Sequence, residues 1–152
     1  MKKRMVFRVL ALLLVCALLS PNYAAAAAAV PEEELMPCAS DLIDYTQTYI
    51  VPKGNGLFEI WYTIQAVDVM DTLGAYQIVL WESDDKVSWT ELPTFYQSDI
   101  PAMYTSNARI YSYHVSYQGT PGKYYTARVY FRAYLDGELG ALAFWTDKTL
   151  VN

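Results

Sequence analysis

Two stretches of this chain alternate apolar and polar residues with a strict period of two. Across 57–67, Phe58, Ile60, Tyr62 and Ile64 interleave with Glu59, Trp61, Thr63 and Gln65. Across 123–134, Tyr125, Ala127, Val129, Phe131 and Ala133 interleave with Tyr124, Thr126, Arg128, Tyr130 and Arg132. Successive side chains of a strand point to opposite faces, whereas helical neighbours recur every three to four residues. Neither apolar set would lie on one side of a helix. Both commit their segments to half-buried β-strands, and from Asp41 onward no twelve-residue window offers a helical apolar stripe.

Turn chemistry punctuates the rest. Lys53-Gly54-Asn55-Gly56, Ser83-Asp84-Asp85-Lys86, Gln118-Gly119-Thr120-Pro121-Gly122 and Leu135-Asp136-Gly137-Glu138 separate candidate strands. Seven are expected, at about 43–51, 57–67, 75–82, 87–95, 108–117, 123–134 and 140–150, with a long loop at about 96–107. Strands of this number and length, joined by short turns, predict an antiparallel two-sheet β-sandwich.

The first 29 residues read as an export signal, expected as a helix before processing. Lys2, Lys3, Arg4 and Arg8 form a basic start, Val9 to Leu19 an apolar run, and Ala24 to Ala29 a small-residue cleavage region. Residues 30–40, with two prolines and Glu32-Glu33-Glu34, read as an acidic spacer, and residues 41–152 as one β-domain. A secreted protein is the expectation. Loss of the leader removes four of the eleven basic residues, leaving seven against sixteen acidic ones and a net charge of −9. That sign opposes nucleic acid and anionic membrane surfaces. It also leaves Cys38 without an intramolecular partner, available to join two chains.

The segment Gly122-Lys123-Tyr124-Tyr125-Thr126-Ala127-Arg128-Val129 resembles strand F of immunoglobulin-like and fibronectin type III domains. The resemblance implies that Tyr125 bonds its hydroxyl to nearby backbone, as a tyrosine corner. Without the usual cysteine pair, the fibronectin type III branch is the nearer one. Ser83-Asp84-Asp85-Lys86-Val87-Ser88-Trp89-Thr90 looks like a hairpin common in secreted bacterial β-sandwich modules. The whole arrangement resembles a family of small exported Gram-positive bacterial proteins of unknown function. That resemblance implies a fold and a compartment, and no activity.

Catalytic signatures are sparse. The single histidine, His114, shares a strand face with Ser112 and Ser116, but no orienting acid or oxyanion hole accompanies it. Phosphate loops, zinc-type Cys/His pairs and dinucleotide fingerprints are absent from the sequence. The expectation is a binding module without enzymatic activity and without a cofactor, calcium excepted. Hard cations take six to eight oxygen ligands. In a fibronectin-like topology Asp68, Asp71, Asp136 and Glu138 gather at one end of the domain with Asp99, and could contribute some of those oxygens.

The aromatic surplus is the main functional pointer. With Tyr76, Ile78 and Leu80 pointing inward, Val79 and Trp81 point outward, and a fibronectin-like order implies that they lie beside the outward Tyr130, Arg132 and Tyr134 of the 123–134 strand. Trp145 or Phe144 joins them, depending on register. In the 96–107 loop, Tyr96, Met103, Tyr104 and Thr105 offer a second surface. Rings beside arginines suit stacking on sugars, or a protein interface, where Tyr, Trp and Arg are the usual anchors. The expected ligand-binding residues are therefore Trp81, Tyr130, Tyr134, Arg132, Trp145 and Tyr104. The expected partner is a glycan or, alternatively, an envelope or extracellular protein.

Overall fold

The computed structural model describes residues 40–152, so the expectations for the leader, most of the spacer and Cys38 lie outside the described residues. Strands account for 73% of what is described, and all pairings are antiparallel. The elements are β1 (Ile43–Gly54), β2 (Leu57–Ser83), β3 (Thr90–Glu91), β4 (Phe95–Tyr96), β5 (Tyr104–Gln118), β6 (Lys123–Leu135), β7 (Glu138–Trp145) and β8 (Thr149–Val151). A short 3-10 turn, η1 (Pro101–Met103), precedes β5.

β2 organises the molecule. The sequence pattern divides it into strands at 57–67 and 75–82, but the chain runs through as one strand of 27 residues. Its first half lies between β1 and β5, with Ile60 opposite both Ile50 and Val115. Its second half pairs with β6 on one side, Leu80 opposite Ala127, and with β4 and β3 on the other. β7 and β8 then pair with β6.

The junction between those two expected strands holds a bulge instead of a break. Gln65 faces Ile110 and Met70 faces Ala108, so β2 spends more residues than β5 over this step. Val67, Asp68 and Val69 are exposed, while Ala66 and Met70 on either side are fully buried. Arg109 Nε donates to the Ala66 carbonyl at 3.2 Å, and Val67 N–H to the Leu42 carbonyl at 3.2 Å. A bulge of this kind bends a strand and increases its twist. Here it lets one strand serve both halves of a single curled sheet.

The curl brings two inner faces together. Phe58, Ile60, Tyr62 and Ile64 of the first half meet Ile78, Leu80, Val129 and Phe131 of the second in one core. Tyr62 packs edge-on against Phe131 at 5.6 Å, and Phe58 lies 4.6 Å from the Tyr125 ring. The period-two apolar sets of the sequence are the ones buried. Thr48 Oγ1 donates to the Trp145 carbonyl at 3.1 Å, holding β1 beside β7.

Two tyrosine hydroxyls pin η1. Tyr62 donates to the Met103 carbonyl and Tyr111 to the Ala102 carbonyl. The expected loop at 96–107 is therefore short: β4 closes one end, Met103 is fully buried, and β5 already starts at Tyr104. Two further boundaries differ. The fourth candidate strand is reduced to the two-residue β3 and β4, and the seventh is divided into β7 and β8 around Thr146-Asp147-Lys148. Thr146 Oγ1 accepts from Ala127 N–H at 3.0 Å, satisfying a β6 donor that strand pairing leaves open there.

Tyr125 behaves as the strand F resemblance implies. Its hydroxyl accepts from Thr120 N–H at 2.7 Å and donates to Glu82 Oε2 at 3.1 Å. The ring closes against Gly119, where a Cβ would collide with the phenol. Replacing Tyr125 by Phe keeps the ring and orphans Thr120 N–H, so the expected loss is about 1–3 kcal/mol. Urea denaturation of the Tyr125→Phe protein measures it, with an unchanged m-value expected.

Candidate functional site

The outer face of the second half of the sheet carries the aromatic set. Its floor comes from β2, where Val79 and Trp81 are 6% and 8% exposed. Trp89 joins them from the hairpin after β2, and Tyr124, Tyr130 and Trp145 pack around the three. This is a satellite core on the side of the sheet away from the main one. Trp81 thus shares the expected face but is covered, its ring 4.9 Å from that of Trp145.

Register brings the remaining side chains together. Arg128 stands opposite Val79 on one side and Trp145 on the other. Its guanidinium lies 5.1 Å from the Tyr130 ring and 5.6 Å from the Trp145 ring. Trp145, and not Phe144, is therefore the β7 residue in the group. Tyr76 corrects another expectation. A register shift between Ala75 and Gln77 turns it to the outer face, where it meets Tyr130 at 5.8 Å. Arg132 then stacks on Tyr76 at 3.8 Å.

Gly74 explains how Tyr104 reaches this group. Tyr104 and Arg132 flank Gly74 from β5 and β6. With no side chain between them, the Tyr104 ring leans over Gly74, where an added Cβ would strike it and the Met103 carbonyl. Burial raises the Tyr104 phenol above its ordinary value, and the neighbouring Arg132 opposes that shift. Tyr134, 41% exposed, stands further along β6 opposite Leu139, apart from the ring ladder.

The hairpin that delivers Trp89 is held by one carboxylate. Asp85 Oδ1 accepts from Ser88 N–H and Val87 N–H, each at 2.8 Å, and from the Ser83 hydroxyl at 3.0 Å. These donors, Ser88 first, hold its pKa below the ordinary carboxylate value. Trp89 Nε1 donates to the Lys86 carbonyl at 3.2 Å, and Lys148 sits over the Trp89 ring at 5.4 Å.

The acidic candidates are arranged differently from the expectation. Asp68 lies in the β2 bulge and accepts from Val69 N–H at 2.7 Å. Asp71 lies within β2 and accepts from Asp136 N–H at 3.0 Å, which ties it to the β6–β7 turn. Among the described residues, no group of three or more His, Cys, Asp or Glu side chains is placed to hold a metal ion. Glu138 is exposed at the start of β7.

A second aromatic row lies on the first half of the sheet, where sequence reading found only a polar face. Tyr49 of β1, Trp61 of β2 and His114 of β5 stand side by side across the three strands. Trp61 is parallel to Tyr49 at 6.5 Å and stacked on His114 at 4.4 Å. Glu59 accepts from Lys53 at 2.8 Å and from Trp61 Nε1 at 2.7 Å, which lowers its pKa. His114 Nε2 is 3.9 Å from Glu59, beyond hydrogen-bond reach. The signal for this row was present in the outward parity of Trp61 and His114.

No family model matches the chain, and no curated protein matches it either. A solved structure titled "X-ray structure of Northeast Structural Genomics Consortium target SoR45" is similar over 74% of this chain and 88% of its own, with 14% identity and a TM-score of 0.34. A likeness at that level carries no argument about function.

Two stability tests separate floor from surface. Trp81→Ala opens a large cavity in the satellite core and is expected to cost about 3–5 kcal/mol, whereas Tyr134→Ala stays within about 0.5 kcal/mol. Chemical denaturation of both variants decides it. Asp85→Ala is expected to destabilise the protein at neutral pH. The depressed pKa means this contribution is present above the ordinary value of 3.8 and fades as pH falls through the folded value. Denaturation midpoints of the two proteins should therefore converge in acid.

Proposed function

We propose that the chain is an exported, non-enzymatic binding module that takes a carbohydrate on the outer face of β2, β6 and β7. The observation carrying this reading is the continuous row Tyr76, Tyr130, Trp145, interleaved with Arg128 and Arg132. Ala141 and Ala143 of β7 stand opposite Arg132 and Tyr130. These small side chains form a low ledge beside the tall β6 row, so an extended ligand can lie against ring edges and guanidinium donors together. Rings supply broad contact at little entropic cost, while arginines supply directional donors.

Export is supported by the basic, apolar and alanine-rich order of the first 29 residues. The fibronectin type III-like sandwich belongs to the same reading. Its support is the Tyr125–Thr120 hydrogen bond and the meeting of two inner sheet faces. A protein partner is the second reading. It is favoured by β5, whose Ile110–Gln118 stretch pairs only with β2 among the described residues and offers a free edge for strand addition.

Affinity electrophoresis tests the proposal. The protein is run through gels containing a panel of polysaccharides, each with calcium and with chelator. Retardation by at least one polymer is expected, and Tyr130→Ala should relieve it while the protein stays folded. No retardation in any gel would move the assignment to the protein partner. Calcium dependence would point instead to the acidic end of the domain, where Asp71 and the Asp136 turn are joined by a hydrogen bond.

A further inference from the structure

The outer face gathers the cations that the rest of this acidic chain does not use. Seven lysines and arginines lie outside the leader. Lys53 is held by Glu59 at 2.8 Å and Lys123 by Glu82 at 2.9 Å. Arg109 is spent on the Ala66 carbonyl in the β2 bulge. The other four, Lys86, Arg128, Arg132 and Lys148, make no salt bridge among the described residues. Each lies over an aromatic ring of the same face: Lys86 on Tyr124 at 4.3 Å, Arg128 on Tyr130 and Trp145, Arg132 on Tyr76, and Lys148 on Trp89.

Stacking has two consequences. It fixes each cation in place while leaving its N–H donors free, because the ring attracts the charge without accepting its hydrogen bonds in the plane. Arg128 Nε is buried and has no acceptor among the described residues, so a ligand would meet only the outer nitrogens of that guanidinium. Stacking also occupies ring faces. A neutral sugar binds an aromatic platform through a bare ring face, and here Tyr76 and Tyr124 each already carry a cation, while Trp89 is buried.

Spacing adds a direction. Tyr124, Arg128, Tyr130 and Arg132 share the outer face of β6, since their positions differ by even numbers along one strand. The two guanidiniums recur four residues apart, a rise of about 13 Å along β6, and Lys86 extends the row beyond them at Tyr124. A single small anion would meet one of these groups. A polymer with repeated anionic groups lying along β6 would meet three in turn.

We infer that the ligand of this face is an anionic polysaccharide, bearing carboxylate or sulfate groups and lying along β6. The inference rests on the binding-face reading above and names its ligand class. Arg128 and Arg132 bind the oxyanions, and Tyr130 between them contacts the sugar ring edge-on.

The test compares polygalacturonate and chondroitin sulfate with neutral xylan and hydroxyethylcellulose in the same electrophoretic format. Retardation is expected with an anionic polymer and not with the neutral ones, and it should weaken as salt rises. Arg128→Gln and Arg132→Gln should each weaken binding about tenfold, the equivalent of losing one charge-assisted hydrogen bond. Arg132 is exposed, so its variant should fold normally; the urea midpoint checks both. Lys53→Gln removes the same charge elsewhere and should leave binding unchanged. Retardation by a neutral polymer alone would overturn the anionic class and keep the binding face. Equal weakening by Lys53→Gln would reduce the effect to net charge and overturn the site. No retardation by any polymer would overturn both readings.

Discussion

The fold hangs on the passage of β2 through its bulge. A strand of this length would, if straight, expose one face of each half to water. Bending between Gln65 and Met70 turns the two halves toward each other, so Tyr62 can pack on Phe131 and Phe58 on Tyr125. The bend is held by Arg109 and Leu42 through backbone contacts at Ala66 and Val67. Every other strand takes its register from β2 or from β6, which is itself paired along the second half of β2. The core and the outer aromatic face are therefore positioned by the same segment.

Much of this was legible in the chain. The alternation in 57–67 and 123–134 identified the residues that are now fully buried, because one misplaced residue would send every apolar side chain to water. The adjacency of the β2 second half, β6 and β7 was what a fibronectin-like strand order implied. Other features were hidden by ambiguity in local chemistry. Asp68, Asp71 and Gly74 are residues that turns use, and a bulge uses them as readily. The structure spends Asp71 on the β6–β7 turn and Gly74 on making room for Tyr104. Parity failed at Tyr76 for a related reason. The shift between Ala75 and Gln77 reverses inside and outside, and nothing in the local composition marks where it falls.

The site shows the same division. Tyr130, Arg132 and Trp145 share one face, and Tyr104, expected on a separate loop surface, joins them across Gly74 because β5 already starts there. Trp81 sits beneath them, since a second layer formed by Trp89 and Trp145 covers the outer side of the sheet. Sequence alone gives the face on which a ring lies; whether the ring is covered depends on what the neighbouring hairpin delivers. Here that is Trp89, placed by the hydrogen bonds that Asp85 and Ser83 make in the preceding turn.

The packing of the outer layer also has an optical consequence. Trp81 and Trp145 lie 4.9 Å apart with their ring planes inclined by 42°. Two indoles so close and so inclined share their electronic excitations, and a coupled pair of this kind imposes a paired, opposite-signed band on the circular dichroism spectrum. Trp61, stacked between Tyr49 and His114 on the other half of the sheet, takes no part in that pair. The molecule therefore carries a built-in spectroscopic mark for the integrity of one surface, readable apart from the backbone signal of the sheet itself.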